Sequence, residues 1–436
     1  MWPVLIVVIA LGVALYLNNF NRAVIPKHLT DYEAFAEDDL IPEEIARDLV
    51  LMMKNDFKDF FSNVDQAKAQ GFTPTHEHIG EAQPILPDGT CAHPLLFPDM
   101  GKTSCILPQR IDIGKHYVLT GGLDGVKEKV SEGIDRLSSF ARYTINDNID
   151  KYPPVKKLFY SDKFQSAAKR VCPKNDSYLD TFQFSYIIQV PGQTVAMHLD
   201  SPYFWGASRF NFPQWLLVSM VFSNLFKDLF VDQIQVVGYL HDWKETKSDG
   251  GEFVYYLNSG NIGVVPPKYR SGTFVDGSKV LHAAKIYRPH VKAPHLSKDE
   301  DCSLSYTGNE EWKIFCGDRV VANYSTNDLR ISIVYRARCF DSEQQAKEYE
   351  NFQNSPDKIL KLDYIVETFK KDLVTTKGFT RDALDRLSSL DFAFLIMNTY
   401  IQYPLPPKEL AFFPWNYCAI PLQLPWTAPL FEYICQ

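Results

Sequence analysis

The sequence predicts an α+β protein: a jelly-roll-like β-barrel carried between helical flanks, with an N-terminal membrane anchor. Three observations predict this. Short runs rich in β-branched and aromatic residues recur at 185–190, 193–200, 235–240, 250–256, 263–267, 271–275, 279–283 and 329–335, punctuated by turn formers such as Pro191-Gly192. Strands this short and this close together suit a closed barrel, whereas βαβ units would need helices between them. On either side of the stretch, apolar residues return with helical period. At the start of the chain, residues 2–17 form an uncharged apolar run.

The 436 residues give ample chain for a sizeable core and divide into four regions. Residues 1–20 are the transmembrane or signal-anchor segment. Residues 21–181 form a helical region packing on the barrel, 182–340 the barrel, and 341–436 a helical, then aromatic and proline-rich, C-terminal region. No internal repeat or low-complexity tract interrupts them.

The run 2–17 is slightly short of the roughly 20 residues that span a bilayer. No Lys or Arg precedes it, and Gly12 and Ala14 make a poor cleavage pair. An uncleaved single-pass anchor in the endoplasmic reticulum membrane is therefore expected. Arg22 and Lys27 follow the span, which by the positive-inside tendency leaves the barrel cytoplasmic. The sequons Asn175-Asp-Ser177 and Asn323-Tyr-Ser325 would matter only in a lumenal protein, so the side of the membrane stays open. Eight cysteines permit disulfides without requiring them, and Cys302 and Cys316 could close a loop.

Pro42 with Glu43 and Glu44 opens a helix whose apolar face is Ile45, Leu49, Met52, Phe57 and Phe60. A second helix is expected from Asp124, with Val126, Val130, Ile134, Leu137 and Ala141 on one face. Beyond the barrel, 343–375 and 382–400 read as helices, and the tail from Pro404 to Tyr433 as irregular wrapping. The apolar segment 215–226, which follows 203–213, reads either as a lid or membrane-leaning helix at the rim of the pocket or as buried core.

The chemistry centres on His198-Leu199-Asp200. In an extended strand, side chains two apart share a face, so this imidazole and carboxylate point into one space. His282, from a distant strand, completes three ligands. Two histidines and a carboxylate on one face of an octahedron leave three positions open, which suits non-haem Fe(II) binding a co-substrate together with dioxygen. Competing motifs are weaker. His76-Glu77-His78 sits in a loop-like stretch with no further partner at convincing spacing, and Gly250-Gly251-Glu252-Phe253 lacks the acidic residue of a cyclase hairpin.

The pieces Pro191-Gly192-Gln193 with His198-Leu-Asp200, Tyr239-Leu-His-Asp242 before Gly250-Gly251-Glu252-Phe253, Val265-Pro-Pro, His282 and Arg330-Ile-Ser-Ile occur in one order. In that combination the stretch 182–340 resembles the Fe(II)/2-oxoglutarate-dependent dioxygenase superfamily, nearest its prolyl 4-hydroxylase-like branch. The resemblance implies a double-stranded β-helix with iron held by His198, Asp200 and His282, and 2-oxoglutarate as co-substrate. It also implies an arginine for the distal carboxylate, a task suited to a planar and permanently charged fork. Arg330 is preferred because Arg-Ile-Ser-Ile-Val-Tyr alternates like a barrel strand. Arg288 is the rival, nearer His282 but followed by Pro289, which disfavours strand pairing. Preferring Arg330 makes 289–326 an insertion. Val190 stands where family members often place a tyrosine, so Tyr186 or Gln189 is the expected substitute.

The implied activity is hydroxylation of a protein side chain such as proline, with ascorbate as an accessory reductant. A lipid or other apolar substrate is the alternative, given the anchor and the aromatic content. A non-catalytic membrane scaffold retaining the barrel is the reading from another class. The net charge of -8 gives no reason to expect nucleic acid.

Overall fold

The computed structural model describes residues 25–436 apart from 30, 31, 33, 63–78, 80–82, 93–95, 99–102, 146–148, 150, 174–177, 243–248, 258–260, 297–300, 423 and 436. The anchor run 2–17, His76-Glu77-His78 and Asn175 lie outside the described residues. Among the described residues no helix is long and apolar enough to cross a membrane.

Eight strands build the barrel: β1 (Tyr178–Gln189), β2 (Val195–His198), β3 (Gln233–Tyr239), β4 (Phe253–Tyr256), β5 (Ile262–Val265), β6 (Gly272–Val275), β7 (His282–Ala284) and β8 (Arg330–Phe340). They form two antiparallel sheets, β6-β3-β8-β1 and β5-β4-β7-β2. Every sequence neighbour but β4–β5 lies in the other sheet or across an intervening strand, which is the winding of a double-stranded β-helix. The larger sheet continues on both sides. Phe35–Glu37 pairs with β6, and beyond β1 come Phe140–Ile145, Asp59–Ser62 and a meander of Cys302–Gly308, Glu311–Cys316 and Arg319–Ser325. That meander occupies most of the insertion expected between Pro289 and Thr326.

Among the described residues, three of the four cores follow from the two-residue period of the strands. Between the sheets pack Val237 and Tyr239 of β3, Phe253, Val265, Val275 and Val334. On the outer face of the larger sheet, Phe184, Tyr186, Ile331, Ile333 and Tyr335 meet the helices Glu43–Met52, Pro153–Phe159 and Asp162–Lys169. On the outer face of the smaller sheet, Met197, Val254, Tyr256 and Ala283 meet Gln214–Ser223, Leu362–Thr376 and Ser389–Tyr400.

The helix Gln214–Ser223 is buried from Trp215 to Phe222 on every side. Burying each large apolar side chain contributes about 1.5–3 kcal/mol, so this segment is core and not a lid. The helix expected from Asp124 is also corrected. Only Val130–Arg136 is helical, and Ala141 lies in the strand Phe140–Ile145. Gly121, Gly122 and Gly125 all take positive φ, and this glycine-rich turn uses up the expected first turn. Pro356 splits the segment expected as one helix over 343–375 into Glu343–Gln353 and Leu362–Thr376. All eight cysteines pair, as Cys91–Cys105, Cys172–Cys339, Cys302–Cys316 and Cys418–Cys435.

Candidate metal centre

His198 ends β2 and His282 opens β7, and the two strands pair in a register that sets these residues opposite each other. Their ring centroids lie 4.3 Å apart. Asp200 is the second residue beyond β2, its N–H bonded to the Gly277 carbonyl at 2.8 Å. His198 Nε2 lies 3.6 Å from Asp200 Oδ1, and His282 Nε2 lies 4.0 Å from Oδ2. One donor atom from each residue falls within 4.8 Å of the others, so the three could hold a metal ion.

Several features fit the group to a metal. The Nδ1 of each histidine bonds the carbonyl two residues earlier, Ala196 at 2.7 Å and Val280 at 2.8 Å. An Nδ1–H donating there leaves Nε2 as the lone pair that faces Asp200. Asp200 Oδ2 is buried with no hydrogen-bond partner. Burial pushes the His282 pKa down to about 3, with His198 beside it acting the same way, so the ring stays neutral as a ligand must be. Burial by itself would raise the Asp200 carboxyl. Arg336, His198 and His282 outweigh it and hold the group below the usual carboxylate range.

The barrel wall supports these three side chains. Phe253 stacks on the His282 ring at 5.4 Å. Gln235 Nε2 approaches His282 Nε2 at 3.2 Å, while its Oε1 accepts from Arg336 Nε at 2.8 Å. Gly277 lies so close that a Cβ there would stand 2.0 Å from Asp200 Oδ2. From outside the barrel, the half-buried Arg110 donates to the Leu199 carbonyl at 3.0 Å and pairs with the buried Asp112 at 3.0 Å. Tyr403 of the C-terminal region donates to Asp112 Oδ2 at 2.6 Å. Both flanks of the barrel therefore hold Leu199, the residue between His198 and Asp200, the N-terminal flank directly and the C-terminal flank through Asp112.

Deeper in the barrel, Arg330 is buried, with Nε on the Gly251 carbonyl at 2.8 Å and Nη1 on Gln189 Oε1 at 2.7 Å. The Tyr239 ring lies 5.5 Å from its guanidinium carbon. Gln189 Nε2 and His241 Nε2 are buried without a partner. His241 is held neutral by burial first and by Arg330 second, its pKa down to about 3.

Of the arginines and hydroxyls expected here, the structure brings Arg330 and Gln189 together and leaves Arg288 and Tyr186 elsewhere. Arg288 pairs with Asp328 at 2.8 Å, outside the barrel. Tyr186 points to the outer face of β1, where its hydroxyl donates to the Leu49 carbonyl at 2.8 Å among Phe57, Phe60 and Phe184. Tyr186 stands two positions from Phe184 and three from Gln189, so strand alternation already puts it on the face of Phe184 and not of Gln189.

Sequence reasoning missed Arg336, Gln235, Tyr239 and Arg110. Alternation along β8 puts Arg336 on the same face as Arg330, and that signal was available. Arg110 carries none, since its place depends on how the N-terminal region packs.

Strand order and side-chain set together define a double-stranded β-helix protein with a two-histidine, one-carboxylate cluster that could hold a metal ion. The solved structures it is similar to include prolyl hydroxylases and a 2OG-Fe(II) oxygenase family oxidoreductase. A Pseudomonas putida prolyl-4-hydroxylase is 12% identical over 71% of this chain and 93% of its own, with a TM-score of 0.28. A Trichoplax adhaerens prolyl hydroxylase, in complex with a hypoxia inducible factor oxygen degradation domain peptide fragment, is 9% identical over 78% of this chain and 95% of its own, with a TM-score of 0.31. The non-heme alpha ketoglutarate dependent epimerase SnoN from nogalamycin biosynthesis is 8% identical over 75% of this chain and 82% of its own, with a TM-score of 0.29. At such scores these likenesses carry no weight for the chemistry, which rests on this chain's own strands and side chains. No family model and no curated protein matches the chain.

Proposed function

We propose that the chain is an Fe(II)- and 2-oxoglutarate-dependent dioxygenase that hydroxylates a protein side chain such as proline. The observation that carries this reading is the pairing, inside one barrel, of the His198, Asp200 and His282 centre with a buried arginine set for an anion. His198, Asp200 and His282 would hold the iron, leaving the remaining positions for 2-oxoglutarate and dioxygen. Arg330, with Gln189 Nε2 beside it, would take the distal carboxylate of the co-substrate. When bound, iron and 2-oxoglutarate supply the oxygen activation, with succinate and carbon dioxide as by-products and ascorbate as accessory reductant.

The chain's own residues do the positioning. Backbone carbonyls fix both imidazoles, Arg336 and Gly277 confine the Asp200 carboxylate, and Val237, Phe253 and Val334 keep water from the interior. Around Arg336 the inner face carries Gln183 and Gln235 as its cross-strand neighbours, and Gln233 one pair further on, buried with its Nε2 unpartnered. Such a lining suits a hydrogen-bonding polypeptide better than a lipid chain. Four disulfides favour an oxidising compartment, so the barrel belongs on the lumenal side of the membrane, against the orientation expected from Arg22 and Lys27.

The test is succinate formation by iron-loaded protein from 2-oxoglutarate, alone and with a peptide library. Turnover that needs iron and is lost in His282→Ala supports the enzyme. Failure of wild-type protein to bind Fe(II) or to turn over 2-oxoglutarate would leave the scaffold reading. Turnover stimulated by lipids and not by peptides would move the substrate to the apolar class.

A further inference from the structure

The last part of the chain shows an unusual surface. Residues 410–436 contain a single charged side chain, Glu432. In the same segment Phe412 is 71% exposed, Trp426 78%, Leu430 59% and Tyr433 79%, with Leu410 and Ile434 about half exposed. In the helix Ala428–Ile434 no residue is buried. Together these side chains present on the order of 800 Å², at about 200 Å² for a fully exposed aromatic. The largest apolar patch of an ordinary monomer covers about 300–600 Å².

The segment is nevertheless fixed in place. Asn416 donates from Nδ2 to the Val118 carbonyl at 3.1 Å and the Glu128 carbonyl at 2.8 Å, and from its backbone N–H to the Leu119 carbonyl at 2.7 Å. Cys418–Cys435 closes it into a loop. A structured face that stays apolar needs an occupant.

The chain outside the described residues indicates which one. Residues 1–24 include the apolar run 2–17, and the chain joins the described structure at Ile25, packed on the core that contains Gln214–Ser223. There His28 Nε2 bonds the Val221 carbonyl at 2.8 Å, and the next residue, Phe222, meets the Tyr403 ring at 5.7 Å. The C-terminal segment leaves from Tyr403. His28 and Tyr403 thus both meet one end of one helix, and the chain runs on from Tyr403 into the exposed segment. Tryptophan and tyrosine with almost no charge suit the bilayer interface, whereas the polar rim of a protein partner would find nothing here to pair with.

We infer that residues 410–436 dock on a phospholipid bilayer surface, an inference that rests on the membrane reading of the run 2–17. The test uses the full chain with phosphatidylcholine vesicles carrying a photoactivatable phosphatidylcholine, the adducts being located by mass spectrometry. Adducts are expected in 410–436 as well as in 2–17. The variant Trp426→Ser/Leu430→Ser/Tyr433→Ser changes only exposed side chains. It should lose at least tenfold of the adducts in 410–436 while keeping those in 2–17 and its melting temperature. Adducts confined to 2–17 would overturn the docking surface alone, and adducts in neither segment would overturn the membrane reading with it. A concentration-dependent dimer abolished by the triple substitution would give the face to a second copy and overturn the bilayer.

Discussion

Arg336 holds the carboxylate of the candidate metal centre: its Nη2 lies 2.5 Å from Asp200 Oδ1 while Gln235 fixes its Nε. Burial raises the Asp200 pKa, and Arg336 is foremost among the groups that bring it back below the usual range. A carboxylate with a depressed folded-state pKa contributes stability above its unfolded pKa of about 3.9, and loses it as pH falls through the folded value. Arg336→Gln should therefore raise the Asp200 pKa and let protons compete with metal at higher pH. Co(II) absorption titrated between pH 4 and 8 should show the acid-side loss of binding displaced upward in the variant. Superimposable profiles would remove Arg336 from this role.

Arg330 and Arg288 separate by burial. Removing a charge-assisted partner from a buried anion costs about 1.5–3 kcal/mol, or roughly 10–100-fold in affinity. Arg330→Ala should raise the 2-oxoglutarate KM by that factor with little change in Fe(II) binding. Arg288, 27% exposed and paired with Asp328, sits in an exposed ion pair worth about 0–1 kcal/mol. Arg288→Ala should leave the KM within about fivefold. The opposite ranking would relocate the co-substrate.

The two arginines also show what was legible in the sequence. Period-two alternation in Arg330-Ile-Ser-Ile-Val-Tyr identifies a strand and its inner face, and His198-x-Asp200 with His282 follows from the same geometry. The buried helix Gln214–Ser223 stayed ambiguous because an apolar stretch looks alike whether it meets core or lipid. Between Tyr186 and Gln189 the same alternation decides, since three positions along a strand lead to the opposite face and only Gln189 shares the face of Arg330. Arg110 and Tyr403 reach Leu199 through tertiary packing of regions 89 residues before it and, through Asp112, far after it, a relationship no local pattern encodes.

Gly277 admits no side chain. The Cβ of Gly277→Ala would meet Asp200 Oδ2 at 2.0 Å and His282 Cε1 at 3.1 Å, so the carboxylate must swing out of the centre. Metal affinity measured by calorimetry should fall at least tenfold, while the circular dichroism spectrum stays that of the wild type. Unchanged affinity would show that the carboxylate tolerates displacement or is not a ligand.

The Cys172–Cys339 bridge spans 167 residues and ties the N-terminal region to the end of β8. Losing a native disulfide costs about 2–5 kcal/mol, mostly by freeing the unfolded chain. Cys172→Ala/Cys339→Ala should lower the midpoint of urea unfolding accordingly, with a smaller effect of reductant on the variant than on the wild type. Equal midpoints in both proteins would mean that the bridge is not formed.

The place of β8 carries a consequence for assembly. It pairs with β3 on one side and β1 on the other, and the contact with β1 joins Gln189 to Arg330 across 141 residues. Until β8 arrives, β1 and β3 have no shared neighbour, and a ribosome that has already released His198, Asp200 and His282 has delivered every ligand but no enclosure. Closing so long a loop is slow compared with forming local hairpins. The order of synthesis therefore runs opposite to the order of function: the ligands come first, and the strand that seals them in comes last.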